Sequence, residues 1–310
     1  MENKKSTQNK KEKNIILGVH VSQKSKVLDN KKIARSMSSA ISRDVNSLDI
    51  NAVQIFTNGP YSLSENNIDY DEVNLVCKNI CLVVHAPYLS VELWKIDNKN
   101  YNTSSSKAKI TRFKKQLDRC KEIGAYGIVL HITRVPPKNV AFVMQLLKQH
   151  AKETKVKILL EMIASHSDPK LTYETPKKMD YLIETIGPNE TYYGMTIDTA
   201  HIWAANVDIV NYDSMKEWFE TCKHKNKIEL FHLNGSSAQI GSGHDKHEII
   251  FSFKDKIWKN VSPLKSGVRA VIEFSKKHSV PIICEINRGK ESTVKKSLEI
   301  IKKIYKRVKV

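Results

Sequence analysis

The stretch GMTIDTAHIW, residues 194–203, starts as a buried strand and ends as something else. Gly194 to Ile197 would fill a core, but Asp198 and His201 follow at once, and a strand covered on both faces should read as a continuous apolar run. A carboxylate and an imidazole three residues apart at the C-terminal end of such a strand call for a fold whose strand ends open on a common cleft.

The rest of the chain supplies that fold. Seven further short apolar runs, rich in β-branched residues, occur at IILGVHV (15–21), NAVQIF (51–56), CLVVHA (81–86), GIVLHI (127–132), KILLEM (157–162), IELFHL (228–233) and PIICEI (281–286). Stretches of helical period separate them, among them KKIARSMSSAISRDVNSL, SKAKITRFKKQLDRCKEIG and KSGVRAVIEFSKKH. Gly124 stands where a helix stop belongs, just before the fourth run. Eight β-then-α units predict an α/β protein, a single-domain (β/α)8 TIM barrel over residues 14–310. The 310 residues suit one such barrel, and no repeat or linker points to a second domain.

In a barrel of this kind the C-terminal strand ends surround one mouth, where the site is built. Seven of the eight runs carry a possible metal ligand at or near that end: His20, His85, His131, Glu161, Asp198, His232 and Glu285. One such histidine alone is more often structural than ligating. Seven at the same topological position predict a metal centre, and imidazole combined with carboxylate suits Zn, Mn or Fe. After the seventh run, GSGHDKHEI adds Asp245 and His247, which share a face of an extended segment. Gly241 and Gly243 let that segment bend toward the rim. With His201 these two make a third plausible ligand set.

Charge points to the partner. Fifty-one Lys and Arg against 33 Asp and Glu leave a formal +18, a surface that favours polyanions, of which nucleic acid is the commonest. The five cysteines are scattered and include no C-x2-C pair, so they read as reduced thiols. The lysine-rich start MENKKSTQNKKEKN lacks the apolar core of a signal peptide, and no run approaches the roughly 20 apolar residues of a membrane span. The expectation is an intracellular, unsecreted protein, with nucleus, cytoplasm and virus particle left open. Residues 1–13 read as a solvated, disordered basic tail able to touch DNA.

At this point the residues resemble a known family, endonuclease IV, the zinc-dependent apurinic/apyrimidinic endonucleases of base-excision repair. GVHVS, VHAPYL, IVLHI, ILLEM, IDTAHIW, FHLN, HDKHEI and IICEIN fall in that family's order and at its approximate spacings, from about Gly18 to Glu285. The resemblance implies about three zinc ions per chain, each with protein N and O ligands. It assigns the first to His85, His131 and Glu161, the second to Glu161, Asp198, His232 and Glu285, and the third to His201, Asp245 and His247. On that reading Asp198 and His201 serve different ions, and Glu285 and Glu161 carry the catalysis. The implied reaction is hydrolysis of the phosphodiester 5′ to an abasic site in duplex DNA, leaving a 3′ hydroxyl, together with trimming of blocked 3′ ends. The chain is taken as a monomer.

The loop after the second strand, TNGPYSL, lacks the basic wedge of the bacterial enzymes, so Tyr61 becomes a candidate to stack against DNA in its place. Tyr88, three residues after His85, is a second candidate. His20 matches the family's first strand and is expected to support the cluster from behind. His150, His224 and His278 lie near predicted helix ends, and His166 and His244 in loops; solvent or capping roles are expected for all five. Two other function classes compete. A single-metal sugar isomerase or epimerase of a related barrel group would use Glu161, Asp198, His232 and Glu285, but leaves the other five ligands and the charge without a role. A non-catalytic basic DNA-binding protein on the same barrel should have lost a ligand, and none is missing.

The tail can be tested apart from the site. A chain starting at Asn14 should fold and cleave at an unchanged saturated single-turnover rate. If the tail makes two phosphate contacts, its deletion should flatten the slope of log affinity against log salt by about 1.8. Binding to an abasic duplex across a salt series measures this, and an unchanged slope would make the tail a spacer.

Overall fold

The computed structural model describes residues 14–23, 34–64, 66, 68–164, 172–285 and 291–309. The expected tail and His166 lie outside the described residues. Eight parallel strands close into a barrel: β1 (Leu17–His20), β2 (Ala52–Phe56), β3 (Cys81–His85), β4 (Gly127–Ile132), β5 (Lys157–Met162), β6 (Tyr193–Asp198), β7 (Ile228–His232) and β10 (Ile282–Cys284). The order around the wall is β1-β10-β7-β6-β5-β4-β3-β2. A two-stranded hairpin, β8 (Gly235–Ser236) with β9 (His247–Glu248), rises between β7 and β10. The expected single-domain TIM barrel is the observed fold.

Each strand sends alternate side chains inward and outward. The outward set packs under the helices in one large core. The inward set forms a separate apolar plug of Ala52, Val83, Val129, Leu159, Leu230 and Ile283. Two residues further along the same strands come Gln54, His85, His131, Glu161, His232 and Glu285, so the period of two that builds the plug also lifts a polar layer on top of it. Strand register sets neighbours in that layer: His131 lies beside Glu161, and Asp198 beside His232.

The opposite end of the barrel is closed differently. The β6–β7 register slips between Met195 and Thr196, and Glu229 is taken up in the slip. Its carboxylate accepts from Tyr126 Oη and from Lys157 Nζ (2.6 Å). Gly194 is required beside it, since a Cβ there would come within 2.3 Å of Glu229 Cγ. This is a structural floor, remote from the mouth.

Local signals set the helices. α1 (Met37–Leu48) is capped by Ser36, whose hydroxyl accepts from the Ser39 N–H, and α3 (Ser104–Glu122) by Thr103 in the same way. Gly124, at φ 69°, ends the α3 region as expected. α2 (Tyr70–Cys77), α4 (Pro137–Thr154), α5 (Pro176–Ile186), α6 (Thr199–Ala204), α7 (Tyr212–Thr221) and α8 (Gly267–His278) follow in turn. α9 (Glu291–Arg307) buries Val294, Leu298, Ile301, Ile304 and Tyr305 along one face. All five cysteines are free thiols. Among the described residues no helix is long and apolar enough to cross a membrane.

Candidate metal centre

Three groups of side chains converge at the mouth with their ligand atoms close enough to hold an ion: His85, His131 and Glu161; Glu161, Asp198, His232 and Glu285; and Asp198, His201 and His247. In the first, the His85 Nδ1–H donates to the Ala86 carbonyl at 2.7 Å, which leaves the Nε2 lone pair facing His131 Nε2 (3.2 Å) and Glu161 Oε2 (3.6 Å). His131 Nε2 is 3.1 Å from the same Glu161 oxygen. Trp94 Nε1 donates to the His131 carbonyl and fixes the end of β4.

In the second group the amide oxygen of Gln54 accepts from His232 Nε2 at 2.8 Å, so the other ring nitrogen, Nδ1, is the one aimed into the mouth. It meets Glu161 Oε1 at 3.0 Å, Glu285 Oε2 at 3.4 Å and Asp198 Oδ2 at 3.8 Å. The Gln54 amide N–H donates to Glu285 Oε1 at 2.7 Å. In the third group the His201 Nδ1–H donates to the Met162 carbonyl at 2.8 Å. Nε2 then faces Asp245 Oδ2 at 3.3 Å, while His247 Nε2 lies 2.8 Å from Asp245 Oδ1 and 3.4 Å from Asp198 Oδ2.

The third group differs from the expected set. Asp198 belongs to it as well as to the second group, whereas Asp245 closes it from a half-exposed loop position. The cause is the cap that Asp198 makes. Its Oδ1 accepts the N–H groups of Ala200 (2.7 Å) and His201 (3.0 Å), starting α6, and Oδ2 is left pointing between the two groups. Asp198 therefore ends the strand, caps the next helix and faces two sites. His201 is carried round to the same mouth by the first turn of α6. Gly241 and Gly243, at φ 65° and 61°, bend the loop that brings in Asp245 and His247.

Sequence reasoning missed two side chains. Gln54 is the inward polar residue of β2, the one strand whose sequence offers no candidate ligand, and it bridges His232 and Glu285. Asn234 donates to Asp198 Oδ2 at 2.6 Å and accepts the Glu285 N–H at 2.8 Å. A glutamine at an inward position of AVQIF was the available signal for the first, and the asparagine of FHLN for the second.

Electrostatics test whether cations fit. Burial works against the charge on His232, His247, His201, Glu285 and Glu161 and is the largest single influence on each, but their partners together overcome it. His232 is pushed up to about 9 by Glu161, Glu285 and Asp198, and His247 to about 9 by Asp198, Asp245 and Glu285. His201 rises well above its ordinary value beside Asp198 and Asp245. Glu285 is drawn down to about 2 by His232 and His247, and Glu161 well below the usual range by His232 and His131. His131 and His20, where burial wins, are lowered, His20 to about 4. The carboxylates thus demand positive charge. Glu161 Oε2, His201 Nε2 and His247 Nε2 are buried without a hydrogen-bond partner, and carbonyls hold the His85 and His201 rings in the tautomer that aims a lone pair inward. Nitrogen and carboxylate donors so arranged fit divalent ions of the zinc type.

Around the centre, Tyr61 is 76% exposed and its ring lies 5.1 Å from that of Tyr88, which in turn lies 5.6 Å from His85 and 5.3 Å from His131. His20 belongs to none of the three groups; its Nδ1 contacts Gln54 Nε2 at 3.1 Å and stands 4.0 Å from Glu285 Oε1. His150 pairs with Asp118 and His224 with Glu184, and His278 packs on Phe274, all away from the mouth. His244 is exposed in the loop before Asp245.

Fold and site together define the class: the pattern of the xylose isomerase-like TIM barrel family matches residues 43–304. A probable AP endonuclease of African swine fever virus is 30% identical over 261 residues, 80% of this chain and 82% of its own. The crystal structure of AsfvAP:AG superposes with a TM-score of 0.78 at 25% identity, covering 92% of this chain and 96% of that one. Endonuclease IV from Thermus thermophilus shares the fold, with a TM-score of 0.67 at 18% identity over 94% of this chain and 99% of its own. The chain belongs to the AP endonuclease (endonuclease IV) family of these barrels.

The raised histidines give a pH test. In protein stripped by a chelator, His232 and His247 sit near 9 against about 6.5 in the unfolded chain. Their protonation stabilises the fold fully below about pH 6.5, and that contribution is lost as pH rises through about 9. Thermal melts of stripped protein should therefore fall across this window, and melts with added zinc should not, because the ion replaces the protons. A flat curve for stripped protein would show that these rings do not carry the charge.

Proposed function

We propose that the protein is a zinc-dependent AP endonuclease that hydrolyses the phosphodiester 5′ to an abasic site in duplex DNA, leaving a 3′ hydroxyl and a 5′ deoxyribose phosphate. Trimming of blocked 3′ ends, which needs the same attack, belongs to the same reading. The single observation that carries it is the sharing of Glu161 and Asp198 among three adjoining ligand groups at the mouth of a chain of charge +18. An epimerase of one metal has work for Glu161, Asp198, His232 and Glu285 alone.

In this reading His85, His131 and Glu161 hold one ion, Glu161, Asp198, His232 and Glu285 a second, and His201 and His247 a third with Asp245 and Asp198. Bound divalent ions neutralise the phosphate oxygens and lower the pKa of water, which gives a nucleophile at neutral pH. The residues do the rest. Glu285, drawn down to about 2, is ionised at neutral pH. Gln54 restrains its Oε1, so that Oε2 faces the mouth and can take the proton of the attacking water. Asn234 holds Glu285 through its backbone N–H and Asp198 through its carboxylate, keeping the two acids in fixed relation. His20 steadies Gln54 from behind. Tyr88 and Tyr61 form an aromatic path from the histidines to solvent, against which an extruded abasic nucleotide and its neighbours can stack. The protein acts as a monomer.

Two measurements test the reading. Elemental analysis should find about three zinc-type ions per chain, each with N and O ligands; one exchangeable ion with activity on a ketose would favour the epimerase. In a gel assay on an oligonucleotide with one abasic site, chelator should abolish incision, and Glu285→Gln should lower it by at least about 100-fold with little change in DNA affinity. His150→Ala, at a ring that contacts Asp118 and the Lys114 carbonyl away from the mouth, serves as the near-silent control. Near-full incision by Glu285→Gln would remove that residue from the mechanism.

A further inference from the structure

Phe253 is 83% exposed, a large aromatic ring left in water. It sits at the tip of a tight turn between β9 and α8, and the turn is held rigidly. Asp255, fully buried, accepts the N–H groups of Phe251 (2.9 Å), Ile257 (2.9 Å) and Ser236 (3.2 Å). Two successive backbone bonds, Ser252 to Ile249 and Asp255 to Ser252, wind the turn. Phe251 takes a left-handed conformation, φ 59°, costly for an aromatic residue. A rigid turn that keeps Phe253 in solvent forgoes the burial of a phenyl ring, which the hydrophobic effect would otherwise favour.

The turn is also locked to the metal centre. Ser236 pairs with His247 on one side of β8, and on the other its N–H bonds Asp255 and its carbonyl accepts the Lys256 N–H at 2.7 Å. At ordinary strand spacing the backbone of Lys256 is therefore roughly 10 Å from that of His247, about three nucleotide steps along a strand. Lys254, Lys256 and Lys259 are exposed in the same segment, Lys254 Nζ lying 5.6 Å from the ring centroid, while the acid between the first two, Asp255, is buried. Exposed aromatic and basic side chains interleaved on a fixed support match single-stranded or unstacked nucleic acid.

We propose that Phe253, with Lys254 and Lys256, is a second DNA contact outboard of the metal centre, on which a base a few steps from the cut stacks while the lysines meet the neighbouring phosphates. This rests on the DNA reading above and adds a residue to it. The test uses the full chain with its metals, an abasic duplex, binding by fluorescence anisotropy and single-turnover cleavage at saturating DNA. Phe253→Ala should raise Kd about tenfold and leave the saturated rate and the thermal melt unchanged, while Phe253→Trp should bind like the parent. Lys254→Ala should flatten the salt slope by about 0.9. An unchanged Kd for Phe253→Ala overturns the proposal. So does a Phe253→Ala effect confined to self-association in sedimentation, which would assign the ring to a second copy of the chain. Loss of affinity without any incision by the parent protein would keep the contact and reject the endonuclease reading instead.

Discussion

A carboxylate buried where water cannot reach it costs several kcal/mol unless opposite charge and hydrogen-bond donors surround it. Glu161 is such a group, and the mouth of the barrel is built around its needs. Oε1 meets His232 and His201, and Oε2 meets His131 and His85. Four strands or strand ends are thereby tied to one side chain, and the imidazoles gathered for it are themselves faced by Asp198, Asp245 and Glu285. Charge balance cannot be reached by the protein's neutral side chains. Protons raise the histidines toward charge, or divalent ions take that place, and either way the centre couples folding to what it binds.

Barrel geometry makes this centre possible without spoiling the core. The apolar plug fills the middle of the barrel, and the next inward position on each strand is free to be polar because it opens on the mouth. At the other pole, Glu229, Tyr126 and Lys157 satisfy one another and close the floor. One end is thus saturated with internal partners, and the other keeps its lone pairs directed outward. This division of labour between stable floor and reactive mouth is general to the fold.

The positions that hold the ligands matter as much as the ligands. Carbonyls of Ala86 and Met162 and the amide of Gln54 fix three imidazole tautomers, and Asn234 spans two acids. These partners act through orientation, and their effect on the chemistry is indirect. The hairpin that carries His247 extends the same logic outward, since Ser236 is shared between the rim and the turn that displays Phe253.

Much of this was legible in the chain. Alternation of eight short apolar runs with longer stretches of helical period pointed to the barrel, because run length and β-branched content separate the two kinds of segment. Ligand-type residues at seven strand ends marked the mouth, and the excess of lysine suits a polyanionic partner. Gly124, Gly241 and Gly243 announced the turns they make. What the sequence could not carry is proximity. The double role of Asp198 depends on a helix cap that turns one oxygen away and leaves the other between two groups. Gln54 and Asn234 look like ordinary polar residues until strand register brings them against His232, Asp198 and Glu285. The slip in β7 that gives Glu229 to the floor is invisible in IELFHL, since register is set by neighbours and by the missing Cβ of Gly194, not by the strand alone. Only the closed barrel brings these distant residues within hydrogen-bond reach, and that closure decided which nitrogen and which oxygen each ligand offers.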